Sequence, residues 1–120
     1  MTMEIYSIGK DYTIKEAIER IDASKNRVVL VLDKDSKVVG VISQGDIIRA
    51  LSSGKNLFCR VDSIIRPNFY YMNERNMEEA YELFKKTKIT LVPVVNEDFQ
   101  IIDVINMDDI YRYMEEKCKN

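Results

Sequence analysis

The sequence predicts an α+β fold built from two β-α-β-β-α repeats, packed sheet to sheet about a pseudo-two-fold axis. Three observations lead there. Sliding the 120-residue chain on itself by 63 positions lays residues 13–51 on 76–114 without a gap, and twelve of the 39 pairs are identical. Self-similarity at a fixed spacing marks a duplicated supersecondary unit. Each copy also carries the same order of helix, strand and turn signals. Finally, a single copy of roughly 50–60 residues buries too little apolar surface to be stable alone, so the two should share a core. The repeats are assigned to residues 1–60 and 61–120 of one module.

Each repeat starts with a short extended piece, near Ile5–Ile8 and near Phe69–Met72. Thr13-Ile14-Lys15-Glu16 then reads as a capping box, with Thr at the N-cap and Glu at N3. Ile14, Ala17, Ile18 and Ile21 follow at i, i+3, i+4 and i+7, one face of a helix. The second copy places Met77, Ala80, Tyr81 and Phe84 at the same spacing behind Asn76. Val28-Val29-Leu30-Val31-Leu32 is β-branched and too short for a buried helix, which predicts a buried strand. Its counterpart is Leu91-Val92-Pro93-Val94-Val95. The five polar residues Asp33–Lys37 join it to a second strand, Val38 to Ile42, as a hairpin. A second helix opens near Gln44, runs through Ile47, Ile48 and Leu51, and stops around Ser52-Ser53-Gly54. Lys55 to Pro67 joins the repeats, with a short helical turn around Val61, Ile64 and Ile65 that ends at Arg66-Pro67. A charged helix closes the chain.

Composition narrows the chemistry. The chain has 46% hydrophobic and 32% charged residues, an ordinary folded mixture rather than a disordered one. Its longest apolar runs are about five residues, against the roughly 20 a membrane span needs. Met1-Thr2-Met3-Glu4 resembles no secretory signal. The net charge of −2, with both signs interspersed, argues against a nucleic-acid surface. With no histidine and two cysteines, Cys59 and Cys118, there is no His-dependent triad or base and no four-ligand zinc site. Both cysteines read first as free thiols in a reducing cytoplasm, and second as a single bridge between them. No catalytic residue and no metal ligand is assigned, and the chain is expected not to be an enzyme.

The stretch Gly40-Val41-Ile42-Ser43-Gln44-Gly45-Asp46-Ile47 runs a buried strand straight into a helix start. Ser43 falls at the N-cap and Asp46 at N3, which is a structural capping box as it stands. The same physics suits a nucleotide. A helix N-terminus offers unpaired N–H groups to a phosphate, a serine hydroxyl can donate to it, and a carboxylate one turn on can accept both ribose hydroxyls. The pattern recurs as Ile105-Asn106-Met107-Asp108-Asp109.

With these motifs in hand the chain resembles a tandem pair of cystathionine-β-synthase (CBS) domains, also called a Bateman module. The resemblance is carried by the helix starts TIKEAIERI and NMEEAYELF, the strand pairs VVLVLDKDSKVVGVIS and LVPVVNEDFQIIDVIN, and the helix openings SQGDIIRAL and NMDDIYRYM. It spans about Ile5 to Met114. GDIIRAL with its following glycine is most similar to pairs attached to sugar-phosphate nucleotidyltransferases and sugar-phosphate isomerases. The resemblance implies a cytoplasmic regulatory module that binds AMP, ADP, ATP or S-adenosylmethionine in clefts between the repeats and controls an attached or partner protein. It implies no required cofactor beyond that regulatory adenine nucleotide, and a flat homodimer of two pairs. Nucleic acid and membranes are not among the implied partners. Carried over by motif, the nucleotide-binding residues are Ser43, Gln44 and Asp46, with Asn106 and Asp109 in the second repeat.

The two copies differ where it matters. Asn106 replaces the hydroxyl residue, Asp103 stands where the first copy has Gly40, and Leu30 stands where the second has Pro93. These differences favour a site centred on Ser43 and Asp46 over one centred on Asp109. They also leave a second reading open, a dimerisation or docking module whose clefts no longer bind ligand. Arg49 and Arg112, three residues after the acids, read first as local ion-pair partners. Phe69, Tyr70 and Tyr71 read first as core residues of a strand, and second as a stacking surface for a base. Met107, Tyr111 and Met114 read as helix packing or a dimer surface.

Overall fold

A computed structural model describes residues 2–119. The chain divides after Phe69 into two compact units, each mixed α and β.

In the first unit a 3-10 turn (Thr2–Tyr6) leads into β1 (Ser7–Gly9), followed by α1 (Ile14–Ser24), β2 (Val28–Leu32), β3 (Val38–Ser43) and α2 (Gln44–Ser52). β1 lies parallel to β2, and β2 antiparallel to β3, giving a three-stranded sheet in the order β1-β2-β3. The second unit contains α3 (Met77–Thr87), β4 (Leu91–Val95), β5 (Ile101–Asn106) and α4 (Met107–Cys118), with β4 and β5 antiparallel. Helix starts follow their capping signals: the Thr13–Glu16 box is closed in both directions, and Asn76 accepts from the Glu79 N–H.

The duplication extends to backbone detail. Ala17, Ile21, Val29, Val31, Ile42 and Ile47 lie in the first core, and Ala80, Phe84, Val92, Val94, Ile105 and Ile110, their partners at 63 positions, lie in the second. Both hairpins carry a register shift at the matching step, Val31/Leu32 and Val94/Val95. Lys25 and Lys88 end the first helices in the left-handed conformation, and Ser36 and Phe99 adopt it in the turns. Asp33 and Asn96 close those turns identically, each side chain accepting two backbone N–H groups at 2.9–3.0 Å.

The two opening pieces are where the halves diverge. Near Ile5–Ile8 only Ser7 onward is strand, because Arg20 holds the carbonyls of Glu4 and Ser7 and the chain through Tyr6 coils as 3-10. Near Phe69–Met72 the pairing shrinks to a single parallel bridge, Met72 with Val94. Proline explains it. The next ladder bond would run from the N–H of residue 93 to the Tyr70 carbonyl, and Pro93 has no N–H. Leu30 keeps that donor in the first unit. Tyr70 and Tyr71 are consequently exposed rather than core, with Tyr71 set edge-on to Phe99 at 4.7 Å.

The segment after α2 belongs to the first unit although residues 61–69 fall in the second repeat by sequence. The carbonyls of Cys59 and Leu57 accept the first-turn N–H groups of Ile14 and Lys15, both at 2.9 Å, satisfying donors that a helix start leaves open. A 3-10 turn (Val61–Ser63) follows, with Val61 fully buried. Arg66 then forms an antiparallel bridge with Val41 of β3, its N–H donating at 3.0 Å and its carbonyl accepting at 3.1 Å.

Candidate functional site

Ser43, Gln44 and Asp46 sit at the junction of β3 and α2. Ser43 is in extended conformation, as an N-cap requires, and its hydroxyl oxygen accepts the Asp46 N–H at 3.1 Å. Asp46 Oδ2 accepts the Ser43 N–H in return at 2.9 Å. The Asp46 side chain is 8% exposed, the one buried charged residue among those described. Two guanidiniums meet its other oxygen: Arg49 Nη2 and Arg66 Nε both donate to Oδ1 at 2.7 Å. Burial acting alone would raise this carboxyl. The Ser43 N–H and the two arginines outweigh it and hold Asp46 below its ordinary value of 3.8. Asp46 is therefore a carboxylate at neutral pH.

Gly40 makes this arrangement sterically possible. A Cβ there would lie 2.2 Å from Ile65 Cγ2 and 2.5 Å from the Arg66 carbonyl oxygen, far inside van der Waals contact. Only a glycine lets Ile65–Arg66 lie against β3 and so brings the Arg66 side chain to Asp46. At Gly45 a Cβ would lie 3.3 Å from the Arg49 guanidinium, a close contact that the flexible arginine can relieve. Gln44 is exposed, its N–H donating to the Arg27 carbonyl at 3.0 Å. It lines an open groove of ≈ 900 Å³ between α1 and α2 together with Ile48 and Leu51.

The second repeat builds the same cap from Asn106 and Asp109, joined in both directions at 3.0 Å. Asp109 is 11% exposed and is bonded by Arg112, with Arg75 Nη2 at 3.5 Å. Arg75 also donates to Asp103 at 2.9 Å, so the carboxylate in the Gly40 position is engaged by an arginine. Charge separates the two clusters. The first has two guanidiniums and one carboxylate. The second has two guanidiniums on Asp103 and Asp109, and a further carboxylate, Asp108, where the first repeat has Gly45.

The local partners Arg49 and Arg112 follow from helical spacing. Arg66 and Arg75 do not: they lie 20 residues after one acid and 34 before the other. No group of His, Cys, Asp and Glu among the described residues is placed to hold a metal, and Cys59 and Cys118 are free. No helix among the described residues is long and apolar enough to cross a membrane.

Comparison with known proteins agrees with this architecture. The family model of the CBS domain matches residues 1–53 and again 61–116. Arabinose 5-phosphate isomerase GutQ of Salmonella typhi is 31% identical over 101 residues, covering 83% of this chain and 32% of that protein. The chain thus spans about a third of that relative. Two solved structures share the fold. A CBS domain protein from Pyrobaculum aerophilum complexed with AMP superposes with a TM-score of 0.71 at 20% identity, covering 96% of this chain and 98% of its own. The cytosolic domain of the Mg2+ channel MgtE in complex with ATP gives 0.72 at 23% identity, covering 94% of this chain and 46% of its own.

Proposed function

The chain belongs to the CBS-domain family as a tandem pair, and from that premise we propose that it is a cytoplasmic regulatory module that binds an adenosine-containing nucleotide and controls an attached or partner protein, without catalysing a reaction itself. The candidate ligands are AMP, ADP, ATP and S-adenosylmethionine. The observation that carries the reading is the Ser43–Asp46 cluster: a buried, ionised carboxylate beside a hydroxyl at a helix N-terminus, bordered by two arginines. The acid suits a ribose diol, and the helix start and guanidiniums suit phosphate. Complexes of structural relatives with AMP and with ATP support the ligand class. Asn106 and Asp109 form the weaker candidate, because their surroundings carry an excess of carboxylates. A sugar-phosphate isomerase is one candidate for the regulated protein, supported by the likeness to GutQ, and a sugar-phosphate nucleotidyltransferase or another catalytic domain is an alternative. Calorimetric titration with the four ligands should show saturable binding of at least one below millimolar concentration. Absence of any binding at millimolar ligand would refute the reading.

A second reading, docking without ligand, is favoured by a different observation. Ile48 and Tyr111 occupy one repeat position and Leu51 and Met114 another, and all four apolar side chains are exposed, Ile48 by 63% and Tyr111 by 56%. An apolar pair one turn apart, retained at matching places on α2 and α4, fits the homodimer we include in the proposal. Ile48→Lys together with Tyr111→Lys is expected to turn a dimer into a monomer in light scattering, with the melting temperature changed by no more than a few degrees. A monomeric wild type removes the dimer. A dimer that binds no nucleotide leaves docking as the function.

A further inference from the structure

The nucleotide-binding reading leaves the ligand open among phosphorylated and unphosphorylated adenosines, and the occupancy of Asp46 discriminates between them. A carboxylate offers about four lone-pair sites. On Asp46 three are taken: Oδ1 by Arg49 and by Arg66, Oδ2 by the Ser43 N–H. A ribose that donates both hydroxyls needs two acceptor sites, so one guanidinium must leave. Arg49 is anchored on the same helix turn as Asp46. Arg66 comes from a separate segment, whose backbone pairing with Val41 of β3 can stay in place while the side chain swings off the carboxylate.

Resting on that reading, we propose that Arg66 is a specificity-determining residue that selects phosphorylated nucleosides over adenosine and S-adenosylmethionine. The diol displaces its guanidinium from Asp46, and the ligand's own phosphate takes the guanidinium over. The exchange swaps one charge-assisted partner for another. Adenosine, which carries no anion, strands the displaced cation beside Arg49 with nothing in place of the carboxylate. S-adenosylmethionine brings a carboxylate, but its ammonium and sulfonium leave it net positive, which adds to a cluster already in cationic excess. The second repeat lacks this selectivity for anions, since Asp103, Asp108 and Asp109 outnumber Arg75 and Arg112.

The test is calorimetry on the whole chain with AMP, ATP, adenosine and S-adenosylmethionine, in wild type, Arg66→Gln and Arg66→Lys, with melting temperature as the folding control. Wild type should prefer AMP to adenosine by at least about tenfold, the worth of one charge-assisted contact. Arg66→Gln should narrow that preference to within about threefold, weakening AMP and strengthening adenosine as the competitor for Asp46 disappears. Arg66→Lys, which keeps the charge but not the fork, should fall between them. A preference unchanged in both variants, or wild-type binding of adenosine or S-adenosylmethionine as tight as AMP, overturns the selectivity while the nucleotide-binding reading stands. Wild type that binds none of the four overturns both.

Discussion

Gly40→Ala is expected to destabilise the first unit by about 3 kcal/mol, the sum of overpacking and of backbone hydrogen bonds lost where the segment is pushed away. The added methyl group would overlap the Arg66 carbonyl and the Ile65 side chain, and neither can yield while Arg66 stays paired with Val41. Relieving the clash breaks the two Val41–Arg66 backbone bonds and withdraws the Arg66 guanidinium from Asp46. Alanine's better strand propensity, worth less than about 1 kcal/mol, does not offset that. Asp103→Ala at the matching position is the control. It removes a part-exposed ion pair with Arg75, which is worth about 0–1 kcal/mol. Urea unfolding of the two variants, with hydrogen exchange at the Val41 N–H, measures both effects. Equal costs at the two positions would mean that the contact between residues 65–66 and β3 is not structural.

Gly40 also shows which parts of this protein can be read from its sequence. Apart from the two opening extended pieces, element types, their order and the capping boxes were legible because they rest on local periodicity and on a repeat that states each signal twice. Arg49 and Arg112 were legible as partners of the acids because i, i+3 spacing is a local rule. The remaining partners obey no such rule. Arg66 and Arg75 do the same work in the two halves but lie at unrelated positions of the repeat, one after its acid and the other before. Superposing the copies therefore hides them. Only the exchange of Gly40 for Asp103 hinted that something packs against β3 in one half and not in the other, and a glycine in a strand points to close backbone approach. The exposure of Tyr70 and Tyr71 was equally hidden, since it depends on a hydrogen bond that Pro93 in another element cannot make.

Asp46→Ala is the second large effect, and it separates structure from function. Truncation removes the N3 partner of the α2 cap and leaves two guanidiniums facing each other without their anion, an expected loss of about 2–3 kcal/mol. The same group sets an acid limit. Its carboxyl is held below 3.8 in the folded protein, so its contribution is complete above the unfolded value near pH 4 and is lost as pH falls through the lower, folded value. Asp33 is also depressed, chiefly by the Lys37 N–H, and acts in the same direction. Stability of the wild type should therefore fall below about pH 4, and Asp46→Ala should flatten that slope without abolishing it. Asp46→Asn isolates the ligand role. The amide keeps the size and can still accept at the cap, but it is uncharged and offers one acceptor oxygen instead of two. Nucleotide affinity is expected to drop at least about thirtyfold, because an ionised hydrogen-bond acceptor is replaced by a neutral one that cannot receive both hydroxyls. If Asp46→Asn binds as tightly as wild type while Asp46→Ala unfolds early with a flattened acid slope, Asp46 is a cap and an ion-pair anchor only. The nucleotide would then have to be held by other residues.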